Sequence, residues 1–143
     1  MRKQPNSRMC FACGRQNPVG LKLEFYEDHE AGQVQAEFTI PENYQGYPGA
    51  VHGGIVATIL DEISGRAVLL HGSDEDLMAT LRLTIRYRRP TPIGTPLVAV
   101  GWVDHMGGMG ARVAGEIRLP DGTVTAECEA VLADVPEAFR ARW

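Results

Sequence analysis

The residues best suited to chemistry form one short run, Val51-His52-Gly53-Gly54, with Asp61 eight positions after Gly53. Ile55, Val56, Ile59, Leu60 and Ile63 recur at helical spacing just beyond the glycines, so the run opens a helix. Backbone N–H groups at a helix start have no partner inside the helix, and the helix dipole adds positive potential there. Glycines let a ligand approach that backbone closely. Together these features suit the polarisation of a carbonyl oxygen, an oxyanion-hole arrangement. Asp61 adds a carboxylate between Leu60 and Ile63, where burial is costly without a task or a partner. A plainer reading stays open at this point: the glycines only shape a tight turn, and Asp61 or Glu62 faces solvent.

The elements that must position these residues follow from hydrophobic period. The helix spans about residues 54–70, its apolar stripe continuing through Ala67 and Val68, and Gly72 with Ser73-Asp74 ends it. Period-two alternation marks strands at about 21–26, 34–40, 81–87, 113–119 and 124–132, and a more uniformly apolar run at 97–103 suits a central strand. Short connections after the helix require antiparallel neighbours. One buried helix and one antiparallel sheet make a two-layer α+β domain, with the sheet curled around the helix. Residues 1–9 are expected to be loose, 10–135 to form the domain, and 136–143 to be a tail with a short helical turn.

Composition narrows the function classes. The chain has 143 residues, 44% hydrophobic and 22% charged, with a net charge of -4. That is one ordinary globular domain, with no global electrostatic case for nucleic acid or an acidic membrane. No apolar run reaches the roughly 18 residues that a membrane helix needs. The basic start MRKQPNSRM is not followed by the apolar stretch of a secretory signal. Three cysteines give no disulfide framework, and a cytoplasmic location is the expectation.

The run GYPGAVHGGIVATILDEISG at 46–65, with TLRLTIRYRRPTPIG at 80–94, resembles the hotdog-fold acyl-CoA thioesterases of the PaaI-like group. It is particularly similar to the branch of thioesterase superfamily member 4. CFACGRQNPVGLKLEF at 10–25 looks like the opening of many bacterial members, and the resemblance covers about 10–133. It implies a hotdog fold, about six antiparallel strands around one long central helix. The implied activity is hydrolysis of an acyl-CoA to free acid and CoA, without metal or redox cofactor. The implied assembly is a homodimer that can pair again into a tetramer, with a site shared between subunits.

Residue by residue, the resemblance makes the Gly53 N–H the donor to the thioester carbonyl, beside Gly54 at the substrate. It makes Asp61 the general base or the nucleophile and Thr80 its assistant, and leaves His52 to orient the loop. Many relatives carry Asn or Gln where this chain has Gly46, so Gln45 or Asn43 is the expected substitute for positioning water. Arg82, Arg86 and Arg88 lie along one polar strand face, with Arg89 next to them. Such a row blunts a sheet edge, while the resemblance implies that Arg88 and Arg89 contact the phosphates of CoA.

Other motifs are weaker. Gly107-Gly108-Met109-Gly110 has no helix after it, so it reads as a hairpin tip rather than a phosphate cradle. Met106 and Met109 are candidates for the acyl or pantetheine entrance. Cys10 and Cys13 form a C-x-x-C pair without a second pair, so packing and turn geometry are expected rather than a metal. The alternative function is a non-catalytic acyl-CoA-binding or sensing module; the short start before Cys10 and the presence of Asp61 argue against it. A hotdog dehydratase would need a His motif with a partner acid, which is not found here.

Overall fold

In a computed structural model that describes residues 1–74, 76–108 and 110–140, the strands form one antiparallel sheet. They are β1 (Arg2–Lys3), β2 (Tyr26–Asp28), β3 (Gln33–Phe38), β4 (Met78–Tyr87), β5 (Leu97–Gly107), β6 (Gly110–Arg118) and β7 (Val124–Asp134). The spatial order is β1-β2-β3-β5-β6-β7-β4. The long helix α1 (Gly53–Arg66) follows β3, continues as a 3-10 segment Ala67–His71, and delivers the chain to β4 at the opposite edge. A short α2 (Glu137–Arg140) follows β7, and residues 141–143 lie outside the described part. No described helix is long and apolar enough to cross a membrane.

The helix is buried along the stripe its period announces: Val56, Ile59, Leu60 and Ile63 pack with Val34, Ala36, Leu97, Ala99 and Ile117 of the sheet. Its approach to the sheet depends on two glycines in register, Gly101 of β5 and Gly115 of β6. A Cβ on Gly101 would stand 2.3 Å from the Ile63 carbonyl oxygen, and one on Gly115 would stand 3.1 Å from the Ile63 side chain. Single glycines inside strands here mark a close backbone approach.

Several expectations need correction. The α-helix stops at Arg66, and the rest of the apolar stripe turns as a 3-10 segment that buries Ala67, Val68 and Leu69 in a second cluster with Val113 and Leu132. The start of the chain is not loose. Arg2–Lys3 pair with β2, Gln4 is buried against Glu27, and the Pro5 carbonyl accepts from Arg66. Residues 21–25 bury Leu23 and Phe25 as their alternation demands, but they are not a regular strand. Lys22 adopts a φ of 54°, and the segment instead bonds back to Phe11 and Ala12. Leu81, expected on the core face of β4, is a bulge between Thr80 and Arg82 and is 70% exposed.

Candidate active site

His52 is the N-cap of α1, and its backbone and side chain leave a single donor open. Its Nδ1 accepts the Gly54 N–H at 2.9 Å, and its carbonyl accepts from Ile55 at 2.9 Å and Val56 at 3.0 Å. Accepting at Nδ1 puts the ring proton on Nε2. On the other side, the Tyr87 hydroxyl of β4 donates to the Gly53 carbonyl at 2.7 Å. The peptide that follows Gly53 is thus held at both its ends. The exposed Gly53 N–H has no partner among the described residues. It points out from the positive end of the dipole, as an oxyanion donor requires.

Asp61 does not sit in the apolar core; it is half-buried on the wall of a cleft of about 260 Å³. Thr80, at the start of β4, shares that wall and donates its hydroxyl to Asp61 Oδ1 at 2.7 Å. An acceptor-only carboxylate held by one hydroxyl retains lone pairs for a water or a substrate carbon. Glu62 faces Arg66, whose Nε donates to Glu62 Oε1 at 3.1 Å and whose guanidinium lies 4.4 Å above the Phe25 ring. Burial pushes the Glu62 carboxyl up to about 7 against the pull of Arg66. A larger depression on the outer face of the sheet, walled by Arg86, Glu116 and Glu127 among others, contains neither Asp61 nor Gly53.

The other candidates divide. Gln45 spends its side-chain oxygen on the Gly49 N–H at 3.1 Å, inside its own loop. Gly46 lies against the capping residue, where a Cβ would meet His52 Cα at 3.3 Å. Arg88 is committed to Glu127 through Nε and Nη2 at 3.0 and 2.8 Å. Arg89 is exposed and makes no side-chain hydrogen bond among the described residues. Met106, near the end of β5, pairs with Ala111 away from the Asp61 cleft, and Met109 lies outside the described residues.

Two features escaped the sequence. Tyr87 reads as a core-facing strand residue, yet its ring reaches the helix start; only the β4 register reveals it. Cys10 and Cys13 meet Glu62, with one ligand atom from each within 4.8 Å of the others. The hydrogen bond between the two thiols lowers Cys13 to about 5 and raises Cys10. The C-x-x-C spacing was visible, but a third donor from the helix was not.

The model of the thioesterase superfamily matches residues 48–126, the segment that contains His52, Gly53, Asp61, Thr80 and Tyr87. A Xenopus laevis acyl-coenzyme A thioesterase THEM4 is 32% identical over 110 residues, covering 76% of this chain and 48% of that protein. The chain therefore spans about half the length of the curated relatives it matches. A crystal structure of a thioesterase superfamily protein superposes with a TM-score of 0.80 at 32% identity, covering 88% of this chain and 63% of that one. A Streptococcus mutans UA159 protein bound to acetyl-CoA superposes with a TM-score of 0.72 at 21% identity, covering 85% and 94%. With one antiparallel sheet around one long helix and the family match over more than half its length, the chain belongs to the thioesterase superfamily and has its hotdog fold.

Proposed function

We propose that the chain hydrolyses an acyl-CoA thioester to a free acid and CoA, at a site built from two copies of itself. The observation that carries this reading is a separation. Gly53 and Asp61 stand eight residues apart on α1, about 12 Å along the helix axis. One thioester carbonyl cannot reach the Gly53 N–H while its carbon receives a water held by Asp61 of the same chain, because both contacts need about 3 Å. A second copy in antiparallel contact removes the conflict by lending its Asp61. The β4 edge suits that contact: it is ten residues long, has no neighbouring strand on its outer side among the described residues, and exposes Leu81 and Tyr87. An edge of this kind pairs most simply with itself about a two-fold axis.

In this reading the thioester oxygen accepts from the Gly53 N–H, which stabilises the charge that develops there. Asp61 of the second copy, steadied by Thr80, takes a proton from water as the water oxygen bonds to the carbonyl carbon. Collapse of the tetrahedral adduct breaks the C–S bond, and CoA leaves as the thiolate. Direct attack by Asp61, giving an acyl-enzyme anhydride, uses the same positions. Neither route calls on a metal or redox cofactor. The THEM4 relatives and the acetyl-CoA-bound neighbour support the substrate class. Arg89 is the better candidate for the CoA phosphates, since Arg88 already holds Glu127. Three free cysteines fit a reducing compartment such as the cytoplasm.

Thiol release from short, medium, long and aromatic acyl-CoAs, by wild type and Asp61→Asn, tests the reading. A drop of on the order of a hundredfold or more in the variant supports it. Acyl-CoA binding without release by wild type replaces it with the sensing module. Sharing is tested by mixing Asp61→Asn chains with Gly53→Pro chains. Half of the randomly mixed dimers are mixed pairs with one intact site of two, so activity returns to about a quarter of wild type. No recovery after subunit exchange rules out the shared site.

A further inference from the structure

The cluster of Cys10, Cys13 and Glu62 has no part in the hydrolysis above. Cys10 to Gly14 form a closed turn, in which the Gly14 N–H donates to the Cys10 carbonyl at 2.7 Å. A Cβ at Gly14 would stand 2.5 Å from that oxygen, so the turn after the second cysteine accepts glycine alone. The Ser7 hydroxyl accepts the Cys10 N–H at 3.1 Å and lies 3.8 Å from the Cys13 sulfur, where its own proton can serve a thiolate. Glu62 brings a carboxylate from α1 to the same point, and Arg66 orients it from behind, as the outer partner of a ligating carboxylate does.

We propose that Cys10, Cys13 and Glu62 bind a thiophilic divalent cation, with Zn²⁺ the ion that this donor set fits. Two thiolates and a carboxylate are zinc donors, and their mutual closeness, within 4.8 Å, is what tetrahedral ligation needs. A doubly charged ion together with Arg66 balances the two thiolates and the carboxylate of the bound form. Any proton still held by the two sulfurs leaves to solvent as the ion binds. Water fills the fourth position on the cleft side, because Cys10 and Glu62 both line the cleft that holds Asp61 and Thr80. The ion fastens the segment before β2 to α1, one residue from Asp61.

The test uses the full chain, without a histidine tag and purified under reducing conditions. Elemental analysis is expected to find zinc in equal proportion to chain. Cobalt(II) added to the chelator-treated protein is expected to give thiolate-to-metal charge-transfer absorption and the intense visible bands of a tetrahedral site. Cys10→Ser with Cys13→Ser abolishes both signals, and Glu62→Gln weakens zinc affinity by about tenfold or more. Zinc removal lowers the melting temperature of wild type but not of the double variant. The proposal is overturned if wild type shows no cobalt charge transfer, or if the band persists in the double variant. A purified chain two mass units light and free of zinc also overturns it, and makes the pair a disulfide couple.

Discussion

Replacing Gly53 by proline exchanges one hydrogen-bond donor for the ring Cδ and disturbs very little of the fold. Gly53 is the first residue of α1, where proline is the favoured residue because its missing N–H has no intrahelical acceptor to lose. His52 already has φ -55° and ψ 135°, within the extended region that a residue before proline must occupy. A Cβ on Gly53 would meet only the Tyr87 ring, at 3.7 Å or more, which is ordinary contact. Stability should therefore stay level or rise by about 0.4–1 kcal/mol through the unfolded chain. Catalysis should behave differently. Losing one oxyanion donor costs about 2.7–4 kcal/mol of transition-state stabilisation, a fall in kcat of roughly a hundred- to a thousandfold. Gly53→Ala keeps the N–H and adds the same Cβ, so it isolates the effect of crowding by that carbon against Tyr87. The assay is thiol release on the best acyl-CoA of the panel, beside thermal unfolding of each variant. If Gly53→Pro keeps kcat within about threefold of wild type, the Gly53 N–H is not the oxyanion donor. If Gly53→Ala falls as far as Gly53→Pro, crowding rather than hydrogen bonding explains the loss.

Thr80→Val removes a hydroxyl that donates to Asp61 at 2.7 Å; kcat should fall about tenfold, the lower range for a bond to a charged group at an exposed site, with KM nearly unchanged and most activity restored in Thr80→Ser. Gly101→Ala drives a Cβ to 2.3 Å from the Ile63 carbonyl, which should cost about 1–3 kcal/mol or more and lower Tm by on the order of 10 °C. Gly65→Ala, with nothing within 4 Å of the added carbon, should be neutral or stabilising in the same unfolding assay. Burial raises the Glu27 carboxyl, but hydrogen bonds from Gln4, His29 and Arg2 overcome it and hold the group below its ordinary value. Its contribution is therefore complete above a pH of about 4.3 and is lost as pH falls through the lower folded value. Urea unfolding at stepped pH should show a shallower acid limb in Glu27→Gln than in wild type.

The helix, its partner strands and the Gly53–Asp61 pair were legible because each rests on local rules. A switch from period two to helical spacing marks α1, and glycines at its start followed by a carboxylate in an apolar stripe stand out in one dimension. What stayed hidden depends on contacts distant in sequence. The Leu97 run reads as a plain central strand, and nothing local says that Gly101 and Gly115 lie side by side under Ile63. The bulge at Leu81 shifts the face of everything before it, and alternation alone cannot locate it. Lys22 in a left-handed conformation breaks a strand that composition favours. The Cys10–Cys13 pair looked incomplete because its third donor comes from the helix.

The bulge also fixes where the two-fold axis of a β4 pair must fall. Thr80 lies opposite Leu132 and Arg82 opposite Val131, so Thr80 shares its face with Leu83, Ile85 and Tyr87, whose partners are Ala130, Cys128 and Ala126. Opposed residues in an antiparallel pair share a face. The proposed shared site needs Thr80, which holds Asp61, to come beside Tyr87 of the partner subunit, whose hydroxyl donates to the Gly53 carbonyl. Counting along the ladder and leaving out Leu81, three steps separate Thr80 from Thr84 and three separate Thr84 from Tyr87. In the proposed dimer the axis would therefore pass through Thr84, with Leu83 facing the partner's Ile85. A chain carrying Thr84→Cys should cross-link to its own copy with a short bis-maleimide, well above the wild-type background, while Asp121→Cys in the β6–β7 turn should not. An active dimer in which Thr84→Cys fails to cross-link would mean that Gly53 and Asp61 meet through some face other than this edge.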